Sequence, residues 1–206
     1  MVSTFFPNLD FAWIFLGVLF TLLALASGTD LRRYVIPKWV TLTGLVLGAS
    51  GNIVRGIWLG SDGQPVWILG ENGALVGGLD GFLFALCGFA SGFWLFFLMW
   101  ILGVCGGGDV KLFGALGCWI GAYLALCVLL VSLPVIFCLA FGQVVFAVSA
   151  GTRRKSAPDS AKGESPVSPA RRRVLGFSLP LAIATVAVLL WVFRVELHLA
   201  PPPGIN

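Results

Sequence analysis

GALVGGLDGFLFALCGFASGFWLFFLMWIL, residues 73–102, holds thirty residues with one carboxylate, Asp80, and neither Lys nor Arg. About 20 apolar residues suffice to cross a bilayer as a helix. A soluble domain has no room for such a run, because most of any folded surface still faces solvent. Five more apolar runs flank it: Phe11–Ser27, Trp39–Leu59, Val110–Gly121, Ala122–Ala150 and Val174–Phe193. Apolar residues make up 58% of the 206, charged residues 11%, and the mean hydropathy is +0.98. The expectation is an all-α, polytopic integral membrane protein of about six transmembrane helices, forming a single domain over residues 1–206. The fourth and fifth helices should divide near Gly121, and the third should bend at Gly88-Phe89-Ala90-Ser91-Gly92. The first run has the length of a signal peptide, but its leading flank carries Asp10 and no cation, so it reads as a retained span.

Charge orients these helices. Arg32, Arg33 and Lys38 lie between the first two runs, and Lys111 follows the third. Arg153, Arg154, Lys155, Lys162 and Arg171 to Arg173 lie between the last two, whereas Gly60 to Asn72 holds Asp62 and Glu71 and no cation. By the positive-inside rule the basic connections are cytoplasmic and both chain termini lie outside. A net charge of +4 gathered in loops argues against a nucleic-acid partner. The Ser-, Pro-, Ala- and Arg-rich stretch 151–173 reads as a flexible cytoplasmic linker able to touch anionic lipid heads. Trp13, Trp39, Trp58, Trp100 and Trp191 fall near helix ends, as an aromatic belt does. The five cysteines form no CxxC pair, so neither a disulfide framework nor a metal site is expected. Asp80 reads as an interfacial residue of an over-long helix rather than the mark of a polar cavity.

Two other carboxylates stand in motif-like settings at the predicted cytoplasmic ends of their helices. Asp30 opens Asp30-Leu31-Arg32-Arg33-Tyr34-Val35-Ile36-Pro37, where Pro37 suits the start of a helix and the intervening residues form a tight connection. Asp109 closes Gly106-Gly107-Gly108-Asp109 and precedes Val110-Lys111. The glycines let the backbone pass close to another element, and a carboxylate at a helix start is favoured in its ionised form. The spacing is not that of a phosphate-binding GxxxxGK[ST] loop. Acids beside hydrocarbon are costly and point to function. Two that share one proton can activate water, one as base and one as acid, and titrate as a unit. No rival machinery is legible: the single histidine, His198, reads as a solvated interfacial residue, and no GxSxG elbow occurs.

Gly106-Gly107-Gly108-Asp109-Val110-Lys111 resembles the GxGD signature of intramembrane aspartyl proteases, and its continuation Leu112-Phe113-Gly114-Ala115-Leu116-Gly117 resembles the bacterial prepilin peptidase branch. The Asp30 motif, with Arg32 and Ile36-Pro37, is similar to that branch's first aspartate motif, although Lys38 stands where Asn or Asp is common. Phe177-Ser178-Leu179-Pro180 is similar to its Pro-containing last helix. The likeness extends from Leu16 to about Leu190. It implies a leader peptidase of the bacterial cytoplasmic membrane, with Asp30 and Asp109 catalytic, Gly106, Gly108 and Lys111 supporting the loop, and Arg32, Arg33 and Pro37 near substrate or lipid. Its substrates would be type IV (Flp-type) prepilins or pseudopilins, and no cofactor is implied. Larger members carry a CxxC-bearing domain and methylate the new N-terminus. This chain shows no such domain, so cleavage without methylation is expected. The competing reading is a transporter or a subunit of a pilus or secretion assembly platform, in which buried acids bind cations.

Overall fold

The computed structural model describes residues 5–33, 37–69, 73–103, 105–154 and 177–199. These form five helices: α1 (Leu9–Arg33), α2 (Lys38–Ser61), α3 (Gly73–Ile101), α4 (Gly107–Arg154) and α5 (Ser178–Val192). The all-helical, multi-pass expectation holds. The count of about six is not confirmed: among the described residues α1 to α4 are long and apolar enough to cross a membrane, while α5 is apolar but has 15 residues. The expected fourth and fifth spans are joined in α4, whose 48 residues would extend about 70 Å as a straight rod, over twice the hydrocarbon thickness. The break falls at Gly121, with φ 77° and ψ 170°. That conformation favours glycine, and a Cβ there would also strike the Phe84 ring.

Gly121 interrupts the hydrogen-bond ladder, and α2 repairs it. The amides that would serve the Cys118 and Trp119 carbonyls lie beyond the break. Asn52 Nδ2, fully buried, donates to both, at 2.9 and 3.0 Å. Trp119 Nε1 in turn donates to the Gly44 carbonyl at 2.7 Å, across a space that a Cβ at Gly48 would occupy.

Small residues bring the backbones together. Asn52, Gly56 and Gly60 on α2 face Gly81, Gly77 and Gly73 on α3, and a Cβ at Gly56 or Gly77 would collide with the other's carbonyl oxygen. The same antiparallel pattern joins α3 to α4, where Gly88 meets Gly117 and Gly92 meets the Phe113 carbonyl. Within lipid the hydrophobic effect does not drive helix association, so close packing of this kind does. Gly88 and Gly92 therefore serve contact with α4, and α3 is helical through the stretch expected to bend. Against α4 and α1 packs α5, with Leu16, Leu23, Phe113, Leu116, Leu181 and Leu189 in the shared core. Outward faces stay apolar, with Leu75 90% exposed, as suits a lipid boundary.

One end of the bundle is closed by charge. Arg55, within the apolar run of α2, is 1% exposed and lies 4.1 Å from the Phe5 ring centroid and 4.8 Å from that of Phe84. It donates to the Phe5 carbonyl at 3.3 Å, with Asp80 and Glu196 as its neighbouring anions. Glu196 accepts from the Phe5 and Phe6 amides, at 3.0 and 3.2 Å. Asp80 accepts from the Trp67 and Ile68 amides, at 2.6 and 3.0 Å. Asp80 is fully buried, which corrects its interfacial reading: a cation from α2 and two amides from the α2–α3 connection replace water.

Candidate active site

The opposite end carries Asp30 and Asp109. Helix α1 continues past its apolar run to Arg33, so Asp30 stands in its last turn, at the helix end expected for it, while Leu31 to Arg33 of the expected connection are helical. The Thr29 hydroxyl, donating to the Leu25 and Ala26 carbonyls, accompanies that extension. Asp30 is half-buried, and its Oδ2 accepts a hydrogen bond of 2.5 Å from Ser178 Oγ at the start of α5. Ser27, one turn before Asp30, donates its hydroxyl to the Ser178 carbonyl at 3.2 Å. Two serines thus brace α1 against α5.

From Ser178 the contacts lead toward the glycine loop. Phe177 packs on Phe96 with ring centroids 5.1 Å apart, and Phe96 stacks on Phe113 at 4.2 Å. The Phe96 carbonyl accepts from the Cys105 thiol at 3.4 Å. Next to Cys105, the Gly106 amide donates to Asp109 Oδ2 at 3.0 Å, while the Asp109 amide donates to the Gly106 carbonyl at 3.0 Å. Gly106 stands at the N-cap of α4 and Asp109 three residues on, so the carboxylate reaches back as the acid of a capping box does. Burial, and secondarily the Asp109 carboxylate, push the Cys105 thiol above its ordinary range.

The remaining expected residues are spread more widely. Gly108 is half-buried in the first turn of α4, whereas Lys111 and Arg32 are exposed. Pro37 caps α2 with φ −61° and ψ 137°, its carbonyl accepting from the Val40 amide at 3.1 Å. Arg33 ends α1, and its side chain lies outside the described residues, as do residues 34–36 and 155–176, which take in most of the 151–173 linker. Ser178 is the contact that sequence reasoning passes over; its motif was legible, its bond to a residue 148 positions away was not. An apolar cleft opens between α1, α2 and α4, lined by Leu19, Leu23, Val40, Leu112, Leu116 and Trp119. Leu112 stands one turn from Asp109.

Residues 17–142, more than half the chain, match the model of the type IV leader peptidase family. The chain belongs to the type IV leader peptidase family. Both aspartate motifs, α2 and α3 fall inside the matched span, and α5 with Ser178 falls outside it. No match was found among curated proteins or among solved structures. Membership makes the protein a protease of the leader-peptidase type, with prepilins as the general class of substrate, and the long apolar helices suit a multi-pass membrane protein.

Proposed function

We propose that this leader peptidase is an aspartyl endopeptidase in which Asp30 and Asp109 share one proton. The ionised partner takes a proton from water as that water attacks the scissile carbonyl. The protonated partner donates to the carbonyl oxygen, and the roles reverse as the amine leaves. The observation that carries this reading is the linkage of the two acids, 79 positions apart, through α5. Asp30 bonds Ser178, Phe177 packs on Phe96, and Phe96 holds Cys105 beside the Asp109 loop.

The cut removes the basic leader from a type IV (Flp-type) prepilin or pseudopilin at the cytoplasmic face of the bacterial cytoplasmic membrane. The basic connections support that orientation, with both termini outside. The chain acts as a single membrane-embedded peptidase domain and leaves the new N-terminus unmethylated. A substrate helix must unwind locally to present a carbonyl, because its amides are otherwise satisfied. Arg32, Arg33, Pro37 and the 151–173 linker are the candidates for meeting its leader or the lipid heads around it.

The transport reading would need acids able to take up a cation. The bonds of Asp80 and Glu196 to backbone amides and their proximity to Arg55 argue against it. Co-expression of a tagged prepilin with wild type, Asp30→Asn and Asp109→Asn tests the proposal, with the product's N-terminus read by mass spectrometry. Wild type should cut and neither inserted variant should; processing by either variant overturns the dyad.

A further inference from the structure

The described part of the linker-side half of the chain, residues 177–199, makes one direct contact with a proposed catalytic carboxylate. Ser178 is 1% exposed, and its hydroxyl donates to Asp30 Oδ2 at 2.5 Å. Its carbonyl is held in turn by Ser27 Oγ from α1. The hydroxyl and the carbonyl of Ser178 thus both bond α1, one to Asp30 and one to Ser27. Ser178 also opens α5, so the positive end of a 15-residue helix dipole lies at the Asp30 carboxylate.

We propose that Ser178 is a positioning residue for Asp30, fixing one carboxylate oxygen so that the other is presented in a set direction. The inference rests on the reading of Asp30 as half of the catalytic pair. It extends the working site to α5, a helix outside the matched family span. A hydroxyl suits this task better than a cation does. A Lys or Arg in its place would hold Asp30 permanently ionised, whereas a neutral donor restrains the carboxylate and leaves it able to exchange a proton. Phe177 adds a second consequence. Because the residue before Ser178 packs on Phe96, and Phe96 holds Cys105 beside the Asp109 loop, one helix start sets both carboxylates.

Among the residues whose side chains are described, the other charged groups near this end are Arg32 on α1, Lys38 at the start of α2, and Asp109 and Lys111 on α4. Arg32, Lys38 and Lys111 are exposed, and Cys105 beside Asp109 is half-buried. From α5 the group facing Asp30 is the Ser178 hydroxyl.

The test uses the full-length protein in membrane vesicles and a tagged substrate with a short basic leader and an apolar helix. Wild type is compared with Ser178→Ala, Ser178→Cys and Ser178→Thr. Cysteine is nearly isosteric with serine but a weak donor, and threonine keeps the hydroxyl. Ala and Cys should lower kcat roughly tenfold with KM unchanged, the loss of a bond to a charged acceptor. Thr should restore the rate. Failure of Thr to restore the rate, or a KM that rises with the loss, assigns Ser178 to helix docking alone and overturns the proposal, as does wild-type behaviour of Ala and Cys.

A second readout needs no cleavage. Carbodiimide modification of Asp30 at fixed pH, followed by mass spectrometry, should run several-fold faster in Ala and Cys than in wild type and Thr. Equal labelling in all four overturns the proposal. If wild type cuts nothing, the protease reading falls, and the labelling still decides the fate of the Ser178 contact.

Discussion

The two ends of the bundle each hold a pair of carboxylates, and they hold them differently. At one end Asp80 and Glu196 stand near the Arg55 guanidinium, and each accepts two backbone amides. At the other, Asp30 meets a neutral serine hydroxyl, and Asp109 meets an amide of its own loop. Asp80 and Arg55 are buried, whereas Asp30 and Asp109 are half-exposed. A buried acid with a cation beside it is a fastener, since releasing either partner strands a charge. A half-exposed acid bonded to a neutral hydroxyl, as Asp30 is, strands no buried charge when that bond is released. The difference separates the end that joins the chain from the end fitted for chemistry.

That contrast breaks most visibly in activity. Asp30→Asn and Asp109→Asn should each lower leader cleavage by about 10²–10⁴-fold, the range for loss of a general acid or base, while thermal unfolding in detergent stays near wild type. Stability should show the reverse at the far end. Arg55→Met leaves Asp80 and Glu196 without their cation and should cost about 3–5 kcal/mol in denaturant unfolding. Wild-type stability in that variant would erase the distinction between the two ends. Asn52→Leu, which exposes the Cys118 and Trp119 carbonyls at the Gly121 break, should cost about 1–3 kcal/mol by the same measurement and move no pH profile.

The smallest effect concerns Cys105. Burial is the larger cause of its raised thiol and Asp109 the smaller. Removing that anion in Asp109→Asn should lower the thiol pKa and speed maleimide alkylation at mildly alkaline pH by roughly threefold. In wild type the thiolate, and with it the alkylation rate, should rise only at a pH above that of an ordinary cysteine. Slower alkylation in the variant would show that the Asp109 carboxylate does not face the thiol.

How much of this was legible depended on how far apart the interacting residues stand. The apolar run at 73–102 became α3 within a residue of its expected end, because hydropathy over some 20 residues is a local property. Gly121 was legible as the junction of two helical segments, and α4 breaks there; that Asn52 of α2 bonds the carbonyls at the break was not. Arg55 hid within an apolar run: its hydrogen bond goes to the Phe5 carbonyl, and its neighbouring anions are Asp80, 25 residues away, and Glu196, 141 residues away. The glycine contacts of α2 with α3 follow a four-residue spacing, but spacing does not say which helix lies opposite.

The sequence by itself determined that the chain is helical and apolar enough for a membrane, and that two acids sit at motif-bearing helix ends. Those facts depend on composition, periodicity and chemistry carried by neighbouring residues. The tertiary structure alone decided that Ser178 reaches Asp30, that Asn52 mends the α4 break, and that Arg55 answers Asp80 and Glu196. Each of these pairs residues from different helices, and only packing brings a donor to an acceptor that the chain itself keeps far away.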